Sequence, residues 1–330
     1  MQLALLEVSH WHFPLYVDAL LAAGVEVVAV SDRDAGIRTR EAERFAARAY
    51  DDPLALIAAE DFDCAFAFGR HAEMPAIGHA LVSKGVPFAI EKPAGLNADD
   101  VRALRLAAEA KGLAVAVPLV QRFGALNDLL QRLVDDEGAR FTSVSWRFFA
   151  GPPERYLENG SAWMLEPEVS GGGCLINLAA HFVDLSQHLL GGPAARATAR
   201  TAAVLHGRKV EDYALVSFAT AEGKTATVET GYCFPAHPAK REYSFSLVAD
   251  SLYLRSDADG VVIYRPGNAP PERVAVDHDS DPLYAAFAAR TLDDFRFGRP
   301  PQAGLAELEA AMRTMDAAYR SAREGREVSA

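Results

Sequence analysis

The first 117 residues alternate short continuous apolar runs with stretches of helical periodicity, and that alternation leaves few folds open. The runs are residues 3–6 (LALL), 25–30 (VEVVAV), 62–68 (FDCAFAF), 86–90 (VPFAI) and 113–117 (LAVAV). Such runs suit parallel strands buried on both faces. Helical stretches lie between them, at about residues 12–23, 35–48, 73–84 and 97–111. Gly24, Gly85 and Gly112 close three of these helices, since glycine adopts the left-handed terminating conformation without strain. Asn97, with Asp100 three residues on, reads as a helix cap. Strands joined by helices of this length form right-handed crossovers in a parallel sheet, and such sheets bind ligands beyond the carboxyl ends of their strands. The residues in that position are Glu7 to His12, Asp32 and Arg33, Gly69, Arg70 and His71, Glu91, Lys92 and Pro93, and the segment ending at Arg122.

Past residue 120 the pattern changes. A helix at about residues 125–136 and a strand at residues 142–149 (TSVSWRFF) precede a glycine-rich helix start at Gly171. From about residue 195 to 276, β-like segments separated by turn pairs such as Glu222-Gly223 and Asp259-Gly260 dominate. Two helices close the chain. The pattern predicts two domains, residues 1–119 with a parallel α/β sheet and residues 120–330 as an α+β domain with an open, mostly antiparallel sheet.

The net charge of −12 argues against a general nucleic-acid partner, which usually needs a basic face. No stretch approaches the roughly 20 apolar residues that span a bilayer, so no membrane association is expected. Cys64, Cys174 and Cys233 have no metal or disulfide spacing. Free thiols and the lack of a basic, apolar leader predict a cytoplasmic location.

The turn after the first strand reads Glu7-Val8-Ser9-His10-Trp11-His12. A dinucleotide fingerprint would place glycines at positions 7, 9 and 12, where they allow a tight turn and close approach to a pyrophosphate. A carboxylate at Glu7 opposes that anion, whereas Ser9, His10, Trp11 and His12 at a helix start offer hydrogen bonds and stacking. Asp32, at the end of the second strand, is placed to take ribose hydroxyls, and Arg33 beside it to meet adenine or a 2′-phosphate. The bland reading of Asp32 is a turn former. His10, His12, His71 and Glu73 together offer nitrogen and oxygen donors but match no closed zinc spacing, so no metal is expected. In Gly171-Gly172-Gly173-x3-Asn177-x3-His181-x2-Asp184, the last three residues share one helical face. His181 is then a candidate for proton transfer. A lone helical histidine would otherwise read as a core residue.

Glu91-Lys92-Pro93 after a strand, followed by the glycine run with Asn177, His181 and Asp184, resembles the Gfo/Idh/MocA oxidoreductase family (glucose–fructose oxidoreductase and inositol dehydrogenase relatives). Residues 316–328 (DAAYRSAREGREV) are similar to that family's terminal helix. The resemblance implies a Rossmann domain and an open-faced sheet used for homodimer or homotetramer contacts. It implies NAD or NADP as cofactor, with NAD favoured by Asp32, and oxidation or reduction of sugars, cyclitols or related polyols. By position it makes Lys92 the active-site lysine, His181 the acid/base, and Arg122, Trp163, Asn177 and Asp184 residues of the substrate cleft. It places Gly69, Arg70, His71, Glu91 and Pro93 with Ser9 to His12, Asp32 and Arg33 around the cofactor, with Lys92–Pro93 often cis. Asn177 stands where the family usually has Asp, so Asp184 is the carboxylate left to orient His181. The missing glycines leave an alternative open, a non-redox regulatory or binding protein on the same fold.

Overall fold

The computed structural model describes residues 1–330, which divide into two units. The first comprises Met1–Val120, Tyr156–Gly171 and Asp281–Glu309; the second comprises Gln121–Arg155, Gly172–Ser280 and Ala310–Ala330. The chain therefore passes to the second unit at residue 121 and returns twice to the first.

The first unit is built on six strands: β1 (Gln2–Leu6), β2 (Glu26–Ser31), β3 (Arg48–Tyr50), β4 (Cys64–Ala67), β5 (Phe88–Ile90) and β6 (Val115–Ala116). All neighbours run parallel in the order β3-β2-β1-β4-β5-β6, so the order reverses between β1 and β4. Leu3 to Leu6 and Cys64 to Ala67 are buried throughout, as expected for central parallel strands. Each large apolar side chain so buried contributes about 1.5–3 kcal/mol. The edge strand β3 has no apolar run, being three partly exposed residues (RAY).

Helix ends follow local chemistry. Asp34 caps the helix Ala35–Phe45 by accepting from Ile37 N, and Asn97 caps Ala98–Ala110 by accepting from Asp100 N at 3.0 Å. The stretch read as one helix over residues 12–23 is instead a 3-10 turn at Phe13–Leu15 followed by a short helix, Val17–Ala22. Pro14 lies in the first turn of that 3-10 segment, where its missing N–H costs nothing.

The second unit carries nine strands: β7 (Phe141–Ala150), β8 (Ala194–Ala202), β9 (Tyr213–Thr220), β10 (Thr225–Gly231), β11 (Arg241–Ala249), β12 (Tyr253–Asp257), β13 (Gly260–Tyr264), β14 (Glu272–Ala275) and β15 (Val328–Ser329). Their order is β14-β13-β12-β11-β7-β10-β9-β8-β15, and every pair is antiparallel except β7 with β10. Alternation along β7 buries Val144, Trp146 and Phe148 and leaves Ser145 and Arg147 exposed. The buried face packs on the helix Ala180–Leu190, where Trp146 Nε1 donates to Ser186 Oγ at 2.9 Å and Phe182 meets Trp146 and Phe148. No helix of the chain is long and apolar enough to cross a membrane.

Candidate active site

In the first unit the residues that follow β1, β2, β4 and β5 gather at the carboxyl edge, where the strand order reverses. Glu7 begins the first turn with φ of 58°, the left-handed region that favours glycine. Side chains at the end of β2 brace this turn. Ser31 Oγ accepts from Glu7 N at 3.2 Å, and Asp32 Oδ2 accepts from Ser9 N at 2.6 Å. Asp32 Oδ1 also accepts from Asp34 N at 2.8 Å. A carboxylate has about four lone-pair sites, so these two bonds leave acceptor capacity on both oxygens.

Arg33 donates to Glu7 Oε2 from Nε at 3.3 Å and from Nη2 at 3.2 Å, and also pairs with Glu73. Glu7 is 3% exposed, and its Oε1 is buried without a hydrogen-bond partner. Burial and the neighbouring Asp32 push the Glu7 carboxyl up to about 7, against the opposing pull of Arg33. Gly69, after β4, approaches this turn closely. A Cβ there would stand 3.0 Å from Ile77 Cδ1 and Met74 Sδ, and 3.6 Å from Glu7 Cγ.

A chain of hydrogen bonds anchors Glu91. His12 Nδ1 lies 3.0 Å from Glu91 Oε1, which also accepts from Tyr16 OH at 2.7 Å. The other ring nitrogen of His12 lies 3.0 Å from Tyr284 OH. With neutral His12 the sense is Tyr284 O–H to Nε2 and Nδ1–H to Glu91. His10, His12 and Glu91 bring one potential metal-ligand atom each to within 4.8 Å of one another. Within it, both ring nitrogens of His12 are engaged by Glu91 and Tyr284, which makes His12 and Glu91 a hydrogen-bonded brace.

Lys92 follows at 2% exposure, with a cis bond to Pro93. His10 and His71 are buried within its electrostatic reach. Burial holds the His10 imidazole well below its ordinary value and that of His71 down to about 3, so both rings are neutral near pH 7. His10 Nδ1 accepts from His12 N at 3.2 Å, which leaves its proton on Nε2. His71 Nδ1 donates to Ser170 O at 2.7 Å. Trp163 meets both rings, at centroid distances of 5.8 Å to His10 and 4.9 Å to His71. Trp11 contacts His12 and Tyr156. Arg70 is half-buried beside them.

The second unit holds Arg122, Asn177, His181 and Asp184. Arg122 Nε and Nη2 donate to the two oxygens of Asp184 at 2.7 and 2.6 Å, a buried two-pronged pair. Asp184, expected to orient His181, thus has both oxygens on a guanidinium. Asn177 Nδ2 donates to Tyr232 OH at 3.2 Å, and His181 is 8% exposed. The segment Leu175–Ala179 is a π-helix that leads into the helix carrying His181, an irregularity often found at functional sites.

The glycine run owes its composition to packing. A Cβ on Gly173 would fall 2.1 Å from Glu211 O, and one on Gly172 2.0 Å from Tyr319 OH. Glu211 Oε1 accepts from Gly173 N at 2.8 Å, Leu175 N at 3.0 Å and Tyr319 OH at 2.8 Å. Tyr16, Glu211, Tyr232 and Tyr284 thus join the two clusters without having been anticipated, whereas Glu73, read beside His10, His12 and His71, pairs instead with Arg33. Tyr284 lies 272 residues from His12, and no local pattern marks such a partner.

The strand order of the first unit and the side chains at its reversal define a dinucleotide-type α/β domain, coupled in one chain to a unit with a large open sheet. Residues 12–119 match the NAD-binding Rossmann fold of the GFO/IDH/MocA oxidoreductase family, and residues 130–249 match that family's C-terminal domain. The chain belongs to this family. A curated relative from Amycolatopsis mediterranei (strain S699), named as an oxidoreductase subunit of UDP-kanosamine synthase, is 29% identical over 184 residues. That match takes in 52% of this chain and 46% of the relative, so the chain spans about half the length of that protein.

Among solved structures, GenD2 from gentamicin A biosynthesis, in complex with NAD, is 23% identical with a TM-score of 0.84, over 100% of this chain and 96% of the other. Levoglucosan dehydrogenase with NADH and levoglucosan is 16% identical with a TM-score of 0.87, over 100% and 99%. The WlbA dehydrogenase from Chromobacterium violaceum, with NADH and UDP-GlcNAcA, is 22% identical with a TM-score of 0.81, over 100% and 96%. At these identities the likeness is one of fold.

Proposed function

We propose that the chain is a nicotinamide-dependent oxidoreductase that moves hydride between NAD and a hydroxyl-bearing carbon of a sugar, cyclitol or related polyol, or the corresponding ketone. The observation that carries this reading is a buried lysine, Lys92, held at the carboxyl edge of β5 beside a braced Glu91 and two neutral histidines. The relatives named above for sugars and NAD support the same direction.

The first turn fits a dinucleotide through Asp32, whose remaining lone pairs suit ribose hydroxyls. Arg33 is engaged by Glu7 and Glu73 rather than free for a 2′-phosphate, which favours NAD over NADP. Ser9, His10, Trp11, His12, Gly69, Arg70 and His71 would line the cofactor. When bound, nicotinamide would accept or give the hydride at the substrate carbon.

The amino group of Lys92 would polarise the substrate oxygen, with Glu91 fixing the strand end that carries it. Neutral His10 and His71 would add donors and acceptors without a competing charge. In the second unit His181 is the proposed acid/base, with Asn177, Arg122, Asp184 and the first unit's Trp163 as substrate-side residues. Contacts between copies, as dimer or tetramer, are proposed for the open sheet face that carries Arg147 and Glu229, and a cytoplasmic location goes with this reading.

The test is calorimetric titration with NAD⁺, NADH and NADP⁺, followed by nicotinamide absorbance with a panel of sugars and cyclitols. The Lys92→Met chain should keep cofactor binding and lose turnover by about 10²–10⁴-fold. Absence of both binding and turnover in the native chain overturns the reading. A second reading, a non-redox binding or regulatory protein, is favoured by the carboxylate of Glu7 and by the engagement of Ser9 N by Asp32. It expects no dinucleotide binding, and no activity after glycine is placed at 7, 9 and 12.

A further inference from the structure

We infer that Glu7 takes up a proton when the dinucleotide binds, so that the neutral acid is the form of the first turn that admits a diphosphate. The inference rests on the cofactor reading above and adds to it a titratable residue that governs affinity.

Glu7 lies at the start of the turn where the sheet order reverses, the place where a pyrophosphate approaches the backbone in folds of this strand order. Its two oxygens differ. Oε2 accepts twice from Arg33, and Oε1 is buried with no partner. A proton on this side chain therefore belongs on Oε1, where it meets no internal donor and turns an orphaned acceptor into a donor.

The charged groups facing Glu7 are Asp32 at the end of β2, Arg33 just after it, and Glu73 ahead of the helix Met74–Lys84. Ser31 and Gly69 face it without charge. Arg33 is shared between Glu7 and Glu73, so one cation serves two carboxylates while Asp32 sets a further negative charge against Glu7. An incoming diphosphate adds two more negative charges and favours the protonated form further. The free chain already has the Glu7 carboxyl near 7, so the proton is exchanged within the accessible range. His10 is buried neutral nearby and its ring does not charge there.

The sign follows from linkage. A ligand that prefers the protonated acid binds with constant affinity below the free-chain value and loses affinity above it. The experiment titrates the full-length chain with NAD⁺ by calorimetry between about pH 6 and pH 8, in two buffers of different ionisation enthalpy. The expected result is binding about tenfold weaker at pH 8 than at pH 6, with uptake approaching one proton at pH 8. Glu7→Gln should bind with no such slope and no proton uptake.

Glu7→Gly is the companion variant, since φ of 58° suits glycine and removes the group without strain. It should also be flat with pH. Native binding that is flat with pH, or a slope retained in both variants, overturns the inference while leaving the cofactor reading intact. No NAD⁺ binding by the native chain or by Glu7→Gly at any pH overturns both.

Discussion

Replacing Gly173 by alanine tests whether the glycine run serves packing rather than flexibility. The added Cβ would lie 2.1 Å from Glu211 O, 2.9 Å from Glu211 N and 3.0 Å from Glu211 C. All three are backbone atoms, so no side-chain rotation relieves the contact. Overpacking of this kind costs about 1–3 kcal/mol or more through forced backbone shifts. A shift of the segment also strains the bonds from Gly173 N and Leu175 N to Glu211 Oε1. Bonds to a charged group contribute about 1.5–3 kcal/mol each. Partial loss of one such bond brings the expected cost to about 2–4 kcal/mol. Hydrogen exchange along the helix Ala180–Leu190 is the local readout, because that helix continues from the displaced segment. A loss of 3 kcal/mol corresponds to exchange about a hundredfold faster. Gly192→Ala is the control, with nothing within 4 Å of its added Cβ, and should stay within about 1 kcal/mol of the native chain. Exchange in Gly173→Ala within a few-fold of the control would refute the packing argument.

The buried pair of Arg122 and Asp184 should behave as a unit. Asp184→Asn should cost about 3–5 kcal/mol in urea unfolding, whereas Arg122→Met with Asp184→Leu should recover most of it, and equal instability of single and double variants would refute the coupling. His71 predicts a pH dependence of stability. Its imidazole is held at about 3 when folded against roughly 6.5 when unfolded, so its contribution is fully present above about pH 6.5 and falls by about 1.4 kcal/mol per unit as pH drops toward 3. Urea midpoints measured down that range should show a shallower acid limb in His71→Gln, and an unchanged limb would remove His71 as its source.

Much of the first unit was legible because its central strands are buried on both faces, and burial writes itself as continuous apolar runs. The edge strand β3 escaped because Arg48 and Ala49 are exposed, and its register is set by β2 rather than by its own composition. The two returns of the chain, Tyr156–Gly171 and Asp281–Glu309, left no local mark either. They place Trp163 against His10 and His71, and Tyr284 against His12. The helix carrying His181 and Asp184 was readable, but the π-helical turn that holds Asn177 ahead of it, and the partners of these residues, were not. Asp184 faces Arg122 from 62 residues away, and Asn177 faces Tyr232 from 55. Hydrogen bonds of that range depend on the assembled sheet and helix.

The first turn shows how an absent pattern can be answered by other residues. Glycine at position 7 would supply a left-handed backbone and room for an anion, two separate services. Glu7 adopts the same backbone region at a cost of about 1–2 kcal/mol, and Ser31 and Asp32 hold the turn by accepting from Glu7 N and Ser9 N. The tight turn is thus rebuilt from the end of β2. The neutral surface that glycine would offer an anion is not rebuilt in the same way, because a carboxyl group now lies at the turn and its charge depends on Arg33 and on a proton. Conformation and electrostatics, joined in a glycine, are separated here, and only the second varies with pH. The chain keeps the strand order and the fold of its family, and under the inference above its affinity for a diphosphate follows the protonation of one carboxyl group.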